Sequence, residues 1–480
     1  MIIKQGLTYD DVLLIPQRSF IDHRSDVVTT TYLSRNIRLH LPFVSANMDT
    51  VTESAMAIAL AREGGIGIIH RFMTIEKEAN EVSKVKRQVG FILDRPYTIN
   101  PQCSLKKIYE SSKKYGVDSF IVVDEKNRVM GILSHRDYQF VTDTTKQVKD
   151  LMTPAKKLIS ARIGISFAQA KKIFQHYKIE KLPLISKQGE LQGLITAKSV
   201  TNYEKYPFST KDSQGRYRVG AAVGVVKDYL DRAQALVDAG VDVLVVDVAH
   251  GHNDVALRAI KQIRKKFKDI DLIGGNIATK EGAKDLISCG VDAIKVGIGP
   301  GGLCITRMVA GVGVPQFSAI LECAWYARKY QIPIIADGGT NYPGDITKAI
   351  AAGASSCMLA GWFAGTDESP GEIIMRKGMK YKVHRGSASF LASADRKIRL
   401  GNNSEKRLNT LNTIVAEGVE ALIPYKGKVA DIIYQLLGGL RSGMSYCNAK
   451  TIKELHKNAK FIQITPAGFR ESTSHNVEEL

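Results

Sequence analysis

Between residues 219 and 361 the chain keeps a regular beat: continuous apolar, β-branched runs separated by amphipathic stretches. The runs are VGAAVG (219–224), DVLVVDVAHG (242–251), IDLIGGNIAT (270–279), AIKVGIG (293–299), IPIIADGG (332–339) and SSCMLAG (355–361). A strand with one wet face alternates apolar and polar residues. A strand apolar throughout is buried on both faces, as in a parallel sheet covered by helices. Between the runs, DYLDRAQALVDAG and KEGAKDLISCG have a helical pattern and close on a glycine at the C-cap position. Two more runs, LPFVSANM (41–48) and GIGIIHR (65–71), flank the helical TESAMAIALAREGG. Together these eight runs predict an α/β fold, a (β/α)8 TIM barrel interrupted after its second strand–helix unit. Nearly every strand ends in Gly, Asp, Asn or His, at the end where such barrels keep their active sites.

The interruption spans about 90–205 and contains a repeat. VDSFIVVDEKNRVMGILSHRDY (117–138) aligns with IEKLPLISKQGELQGLITAKSV (179–200) at an offset of 62, placing Val117 on Ile179, Gly131 on Gly193 and Ser134 on Thr196. Each copy reads helix, strand, turn, strand, then a Ser or Thr able to cap the next helix. Such a duplicated unit is either a structural or oligomerisation module or a regulatory nucleotide site. The predicted organisation is therefore barrel (1–89), insert (90–205) and barrel again (206–480), with the polar, basic, Asn- and Ser-rich 386–417 as a mobile flap.

Composition narrows the classes. With 480 residues, 44% hydrophobic and 24% charged, the chain has material for two or three ordinary globular domains. No apolar run is long enough to span a membrane, and the N-terminus has no signal-peptide pattern. The six cysteines are scattered with no CxxC, against a disulfide framework or a zinc site and consistent with a reducing, cytoplasmic home. The net charge of +19 is spread over helix faces and one loop instead of forming a stripe, which points to anionic small molecules ahead of nucleic acid.

Candidate chemistry gathers in KVGIGPGGLCITRMVAGVGVPQ (295–316). Gly297, Gly299 and Gly302 satisfy G-x-G-x-x-G, but the motif follows the sixth strand, contains Pro300 and does not open directly into a helix. A dinucleotide fingerprint requires the opposite context, so the Rossmann reading is rejected. Glycines still let backbone approach a ligand or ion closely. Cys304 lies at the C-terminal end of a barrel strand, close to Arg307, where positive charge favours a nucleophilic thiolate; an inert buried thiol is the alternative. Asp337 could hold ribose hydroxyls, and Ala360-Gly361 lies near the usual phosphate corner.

GLTYDDVLLIPQRS, VSANMDTVTE, GGIGIIHR, DVAHGH, GGNIAT, GIGPGGLCITR, ADGG, FAGTDESPGE and GGLRSGM together resemble the IMP dehydrogenase/GMP reductase family over nearly the whole chain, and the insert resembles its tandem CBS (Bateman) module. The resemblance implies a purine mononucleotide in the barrel mouth, with Cys304 attacking C2 and Thr306 and Glu372 assisting proton transfer. Substrate contacts would come from Ser45, Asn276, Gly302, Asp337, Gly338, Gly339, Gly361 and Ser387. Asp247, with Gly297 and Gly299, would face the nicotinamide cofactor. The carbonyls of Gly299, Gly301 and Cys304 would bind a potassium ion, helped by Glu471 of the partner subunit. In the insert, Ser134, Asp137 and Thr196 would bind ATP or GTP, with Ser199 replacing a ribose-binding Asp in the second copy. The family forms homotetramers that the inserts can pair into octamers.

The two family reactions share a Cys–purine adduct and hydride transfer at C2. The dehydrogenase takes IMP and NAD to XMP and needs a base for water, supplied by an Arg-Tyr pair on the flap. The reductase takes GMP and NADPH to IMP and ammonia and needs none. Here Arg396 and Arg399 are followed by no tyrosine. A general base contributes typically about 10²–10⁴-fold, so the reductase is favoured, as also by DVA (247–249), YPGD (342–345) and Gly361. VAGVGVPQ, RSGMSYCNAK, RESTSH and Arg71 lean toward the dehydrogenase, and Gly302, Ala360, His384 and Ser387 replace the family's usual Ser, Gly, Tyr and Met. A regulatory paralogue without turnover is a third reading, opposed by the intact Cys304, Thr306 and Glu372.

Overall fold

The computed structural model describes residues 3–88, 92–93, 96–390, 392, 415–472 and 474. Eight parallel strands close into a barrel: β1 (Phe43–Ser45), β2 (Ile66–Ile69), β3 (Gly220–Val223), β4 (Val243–Asp247), β5 (Asp271–Ile277), β6 (Ala293–Val296), β7 (Ile334–Asp337) and β8 (Ser356–Leu359). Each pairs with the next, and β8 returns to β1 with Met358 opposite Val44. Around them run α1 (Ser54–Glu63), α2 (Ile75–Arg87), α3 (Tyr229–Asp238), α4 (Asp254–Lys266), α5 (Lys280–Ser288), α6 (Gln316–Ala327), α7 (Pro343–Ala351) and α8 (Val429–Tyr446). Helix starts are fixed locally: Asn253 accepts the Ala256 N–H at 3.0 Å to cap α4, and Thr279 accepts the Gly282 N–H at 3.2 Å to cap α5. Gly64, at φ +101°, ends α1 in a left-handed turn that a side chain would strain.

Two buried layers follow from the two-residue period of a strand. Val44, Ile66, Ile68, Val243, Val245, Ile273, Ala293, Ile335 and Met358 fill the barrel interior. Their neighbours Phe43, Ile69, Leu244, Val246, Leu272, Ile294, Ile334 and Cys357 face the helices. Both faces are apolar, so the strand sequences show no alternation. The lower end of the barrel is plugged by a hairpin of Thr31–Tyr32 and Arg38–Leu39 that the sequence pattern did not reveal. Leu33, Ile37 and Leu39 join the interior layer, and Asp271, at the start of β5, accepts from Asn36 Nδ2 at 2.8 Å. After β8 the chain builds a three-stranded antiparallel sheet from Ile374–Arg376, Met379–Arg385 and Glu420–Pro424, also unforeseen.

Arg87–Pro207 with Lys211–Arg216 form a separate compact unit. Its internal duplication is explicit. Leu105–Tyr115, Phe120–Val123, Val129–Leu133 and His135–Tyr138 reappear in the same order as Phe167–Tyr177, Lys181–Ile185, Leu191–Thr196 and Ala197–Lys205. The copies meet through Ile121, Ile132, Leu191 and Leu194, one apolar cluster contributed by both. In the first copy, Asp137 Oδ2 accepts from the Ser134 N–H at 2.7 Å and the Ser134 hydroxyl at 2.8 Å. In the second, Thr196 Oγ1 accepts the Ser199 N–H at 3.0 Å. These predicted nucleotide contacts are thus engaged as helix caps in the free chain. Most of the expected flap, including Arg396 and Arg399, lies outside the described residues. Among the described residues no helix is long and apolar enough to cross a membrane.

Candidate active site

The upper layer of the barrel interior changes from apolar to charged. On β4 the inward positions are Val243, Val245 and then Asp247; on β7, Ile335 and then Asp337; on β6, Ala293 and then Lys295. Lys295, with a side chain 3% exposed, joins the two carboxylates: Nζ lies 3.0 Å from Asp247 Oδ1 and 2.7 Å from Asp337 Oδ2. Gly275, on the neighbouring strand, makes room, since a Cβ there would fall 2.6 Å from the Lys295 Cβ. Burial alone would push the Lys295 ammonium down, but Asp247 and Asp337 together hold it well above its ordinary value. Burial likewise works against the Asp247 carboxylate, yet the Lys295 and Arg71 charges outweigh it and hold Asp247 below the usual carboxylate range. Asn276 Nδ2 completes the network, donating to Asp337 Oδ2 at 2.9 Å and to the Gly297 carbonyl at 2.8 Å. Asp247, Asn276, Gly297 and Asp337, predicted separately, are thereby brought together by a lysine that was not singled out.

The loop after β6 carries the cysteine. Gly297 has φ +153°, and a Cβ there would come within 2.1 Å of the Asp337 carbonyl oxygen, so the strand can leave the barrel only as glycine. Gly338 and Gly339, both at left-handed φ, lie against Gly301 and Pro300 of this loop. Cys304 Sγ is 3.2 Å from the Thr306 hydroxyl, which donates to Glu417 Oε2 at 2.8 Å. The contact is built by backbone: Ile305 donates to the Glu417 carbonyl at 2.9 Å, and Val419 to the Leu303 carbonyl at 3.0 Å. A thiol, a hydroxyl and a carboxylate in line form a path for moving a proton beside a reacting atom.

Two expected site residues stand apart from these groups. The carboxylate that meets Thr306 is Glu417; Glu372 is exposed in the segment before Ile374–Arg376. Ser45 is fully buried, its hydroxyl accepting from Thr52 at 2.8 Å. The cause is strand parity: Ser45 shares the outward phase of Phe43, and Ala46 is the residue facing inward. Of the rest, Gly302 and Gly361 border open space, with nothing within 4 Å of a Cβ at either position. Ser387 is half-buried in the Gly386–Ser389 turn, whose Gly386 lies against the Leu303 carbonyl. Glu471 ends the helix Pro466–Glu471 and is exposed. The Gly301 carbonyl accepts the Cys304 N–H at 2.9 Å, which leaves a lone pair free. With Gly299 and Cys304 it offers neutral backbone oxygens, a donor set that fits potassium.

The fold and the site define a barrel enzyme with a cysteine in the loop after its sixth strand and a charged upper layer in the barrel interior. Comparison with known proteins makes the class specific. The IMP dehydrogenase / GMP reductase domain matches residues 6–475. The chain is 50% identical over 477 residues to the inosine-5'-monophosphate dehydrogenase of Nitrosopumilus maritimus, covering 99% of both. It is 46% identical over 489 residues to the GMP reductase of Leishmania donovani, covering 100% of this chain and 98% of that one. A crystal structure of GMP reductase from Trypanosoma brucei in complex with guanosine 5'-monophosphate superposes with a TM-score of 0.90 at 43% identity, covering 99% of both chains. The chain belongs to the IMP dehydrogenase/GMP reductase family, oxidoreductases of purine nucleotides that use nicotinamide nucleotides.

Proposed function

We propose that the protein is a GMP reductase, converting GMP to IMP and ammonia with NADPH. The observation that carries this reading is the line Cys304–Thr306–Glu417 beside a flap sequence that lacks an Arg-Tyr pair. Cys304 Sγ bonds to purine C2. The departing 2-amino group takes a proton along the Thr306–Glu417 path and leaves as ammonia. The reduced nicotinamide nucleotide supplies a hydride to C2, and the thiolate leaves to give IMP. Asp337, held by Lys295 and Asn276, is poised to accept from the purine ribose, and Asp247 from the nicotinamide ribose. Potassium would be held by the carbonyls of Gly299, Gly301 and Cys304, with Glu471 of the partner subunit, and would supply a charge that steadies the cysteine loop. The insert reads as a tandem CBS module whose effectors are ATP or GTP and which pairs tetramers into octamers.

A dehydrogenase is the second reading, favoured by the 50% identity to an inosine-5'-monophosphate dehydrogenase. Absorbance of the reduced nicotinamide decides between them. With potassium present, GMP plus NADPH should lose absorbance. A steady gain from IMP plus NAD, with silence in the first reaction, overturns the reductase. Silence in both favours a regulatory paralogue.

A further inference from the structure

The loop after β8 contains a cation with no acidic partner. Lys426 Nζ donates to the Gly361 carbonyl and, at 3.4 Å, to that of Trp362. Among the described residues no carboxylate pairs with it, whereas Lys86 faces Asp242 at 2.8 Å and Lys348 faces Asp345 at 3.6 Å. Burial lowers the Lys426 ammonium from its ordinary value, and no acid offsets it. A half-buried cation held only by neutral carbonyls lacks a counter-ion, which an anionic ligand can supply. The place is suggestive, because the loops after strands seven and eight are where barrels of this kind bind phosphate. Room is present at Gly302 and Gly361.

Other side-chain donors at this corner are few. Positions 302 and 361 carry no side chain, and position 384 is a histidine. His384 is buried, with Nδ1 3.2 Å from the Thr50 hydroxyl. Burial first, and then the Lys426 charge, push its pKa down to about 4, so it is neutral at physiological pH. Arg385 is already paired with Asp49. We propose that Lys426 binds the 5'-phosphate of the purine nucleotide, exchanging backbone carbonyls for phosphate oxygens. This assignment rests on the mononucleotide reading above but not on which reaction follows.

Calorimetric titration of the full-length protein with GMP, guanosine and inorganic phosphate tests it. In Lys426→Met the Kd for GMP should rise about tenfold or more, the scale of one charged hydrogen bond. The Kd for guanosine should change less than about twofold on the same scale. Lys426→Gln keeps a donor for the two carbonyls, loses the charge, and should give the same split if the methionine variant does not fold. Lys426→Arg should retain most GMP affinity. Adding Gly361→Ser to Lys426→Met should restore part of it, because a side chain there meets open space. Inorganic phosphate should compete with GMP in the wild type and not in Lys426→Met. Equal weakening of GMP and guanosine, or an unchanged GMP Kd, overturns the assignment. A wild type that binds neither overturns both this and the mononucleotide reading. A wild type showing the split but no turnover with NADPH refutes the reductase and leaves Lys426 in place.

Discussion

Replacing Lys295 by methionine, which matches its length without its charge, should cost more stability than most single changes, and the cost should depend on pH. In the native barrel one ammonium neutralises two carboxylates, at 3.0 Å and 2.7 Å. Removing it leaves Asp247 and Asp337 facing each other with only the Arg71 charge near Asp247 and the neutral Asn276 amide on Asp337. Breaking a buried pair in this way costs about 3–5 kcal/mol. At roughly 2 °C per kcal/mol for a large domain, the melting temperature falls by roughly 6–10 °C. In the wild type the depressed Asp247 carboxyl contributes stability above its unfolded pKa, lost as acid protonates the folded group. The raised Lys295 contributes stability below its unfolded pKa, lost only as strong base takes the proton from the folded group. The pair is therefore pH-independent across the neutral range. In Lys295→Met the sign reverses: the two carboxylates repel, the pKa of at least one rises above its unfolded value, and acid relieves the strain. Melting curves at about pH 8 and about pH 5, bracketing the new titration, should show the deficit shrinking at the lower value. A deficit equal at both, or smaller than about 1 kcal/mol, refutes the reasoning. Restoration by Asp337→Asn in the same chain would support it.

Cys304→Ala should abolish turnover in the nicotinamide absorbance assay while GMP still binds by calorimetry; surviving turnover sinks the covalent route. Glu417→Gln should lower kcat by about 10²–10⁴-fold, the range for a proton-transfer group. Glu372→Gln should leave kcat within about twofold, a contrast that separates the two glutamates. Gly297→Ala should destabilise the barrel by about 3 kcal/mol or more, since its Cβ would lie 2.1 Å from a carbonyl oxygen at a left-handed φ; a melting temperature unchanged from the wild type would contradict the close approach. Mass measurements should show assembly shifting on addition of ATP or GTP, and no shift with either would remove the regulatory reading of the insert.

The eight barrel strands were legible because burial on both faces writes itself as unbroken apolar runs, and because nearly every run stops at a Gly, Asp, Asn or His where the barrel opens. The hairpin plug at Thr31–Tyr32 and Arg38–Leu39 was not, since two-residue strands carry too little pattern to stand out. Ser45 shows what a motif omits: its strand phase puts the hydroxyl outside the barrel. Lys295 obeys the same phase rule as Asp247 and Asp337 and could have been found by extending the alternation of Ala293 through β6. Glu417 lies 111 positions from Thr306 and reaches it through backbone pairing of two loops, a contact that no local spacing encodes. Its only signal was a carboxylate at the last position of the polar stretch, in AEGVEA, no stronger than that of Glu372.

The barrel closes across its own interruption. β2 and β3 pair directly, Ile68 with Gly220 and Ile69 with Ala221, although more than a hundred residues of chain separate them. Closure therefore needs no strand from the insert, which behaves as a detachable cassette. A short linker from the end of α2 to the start of β3 should leave the same hydrogen-bonded seam, because α2 already makes the crossover that two parallel strands need, and a lineage could lose or exchange the cassette in a single genetic event without redesigning the catalytic half. Control and chemistry can then evolve on separate clocks within one polypeptide.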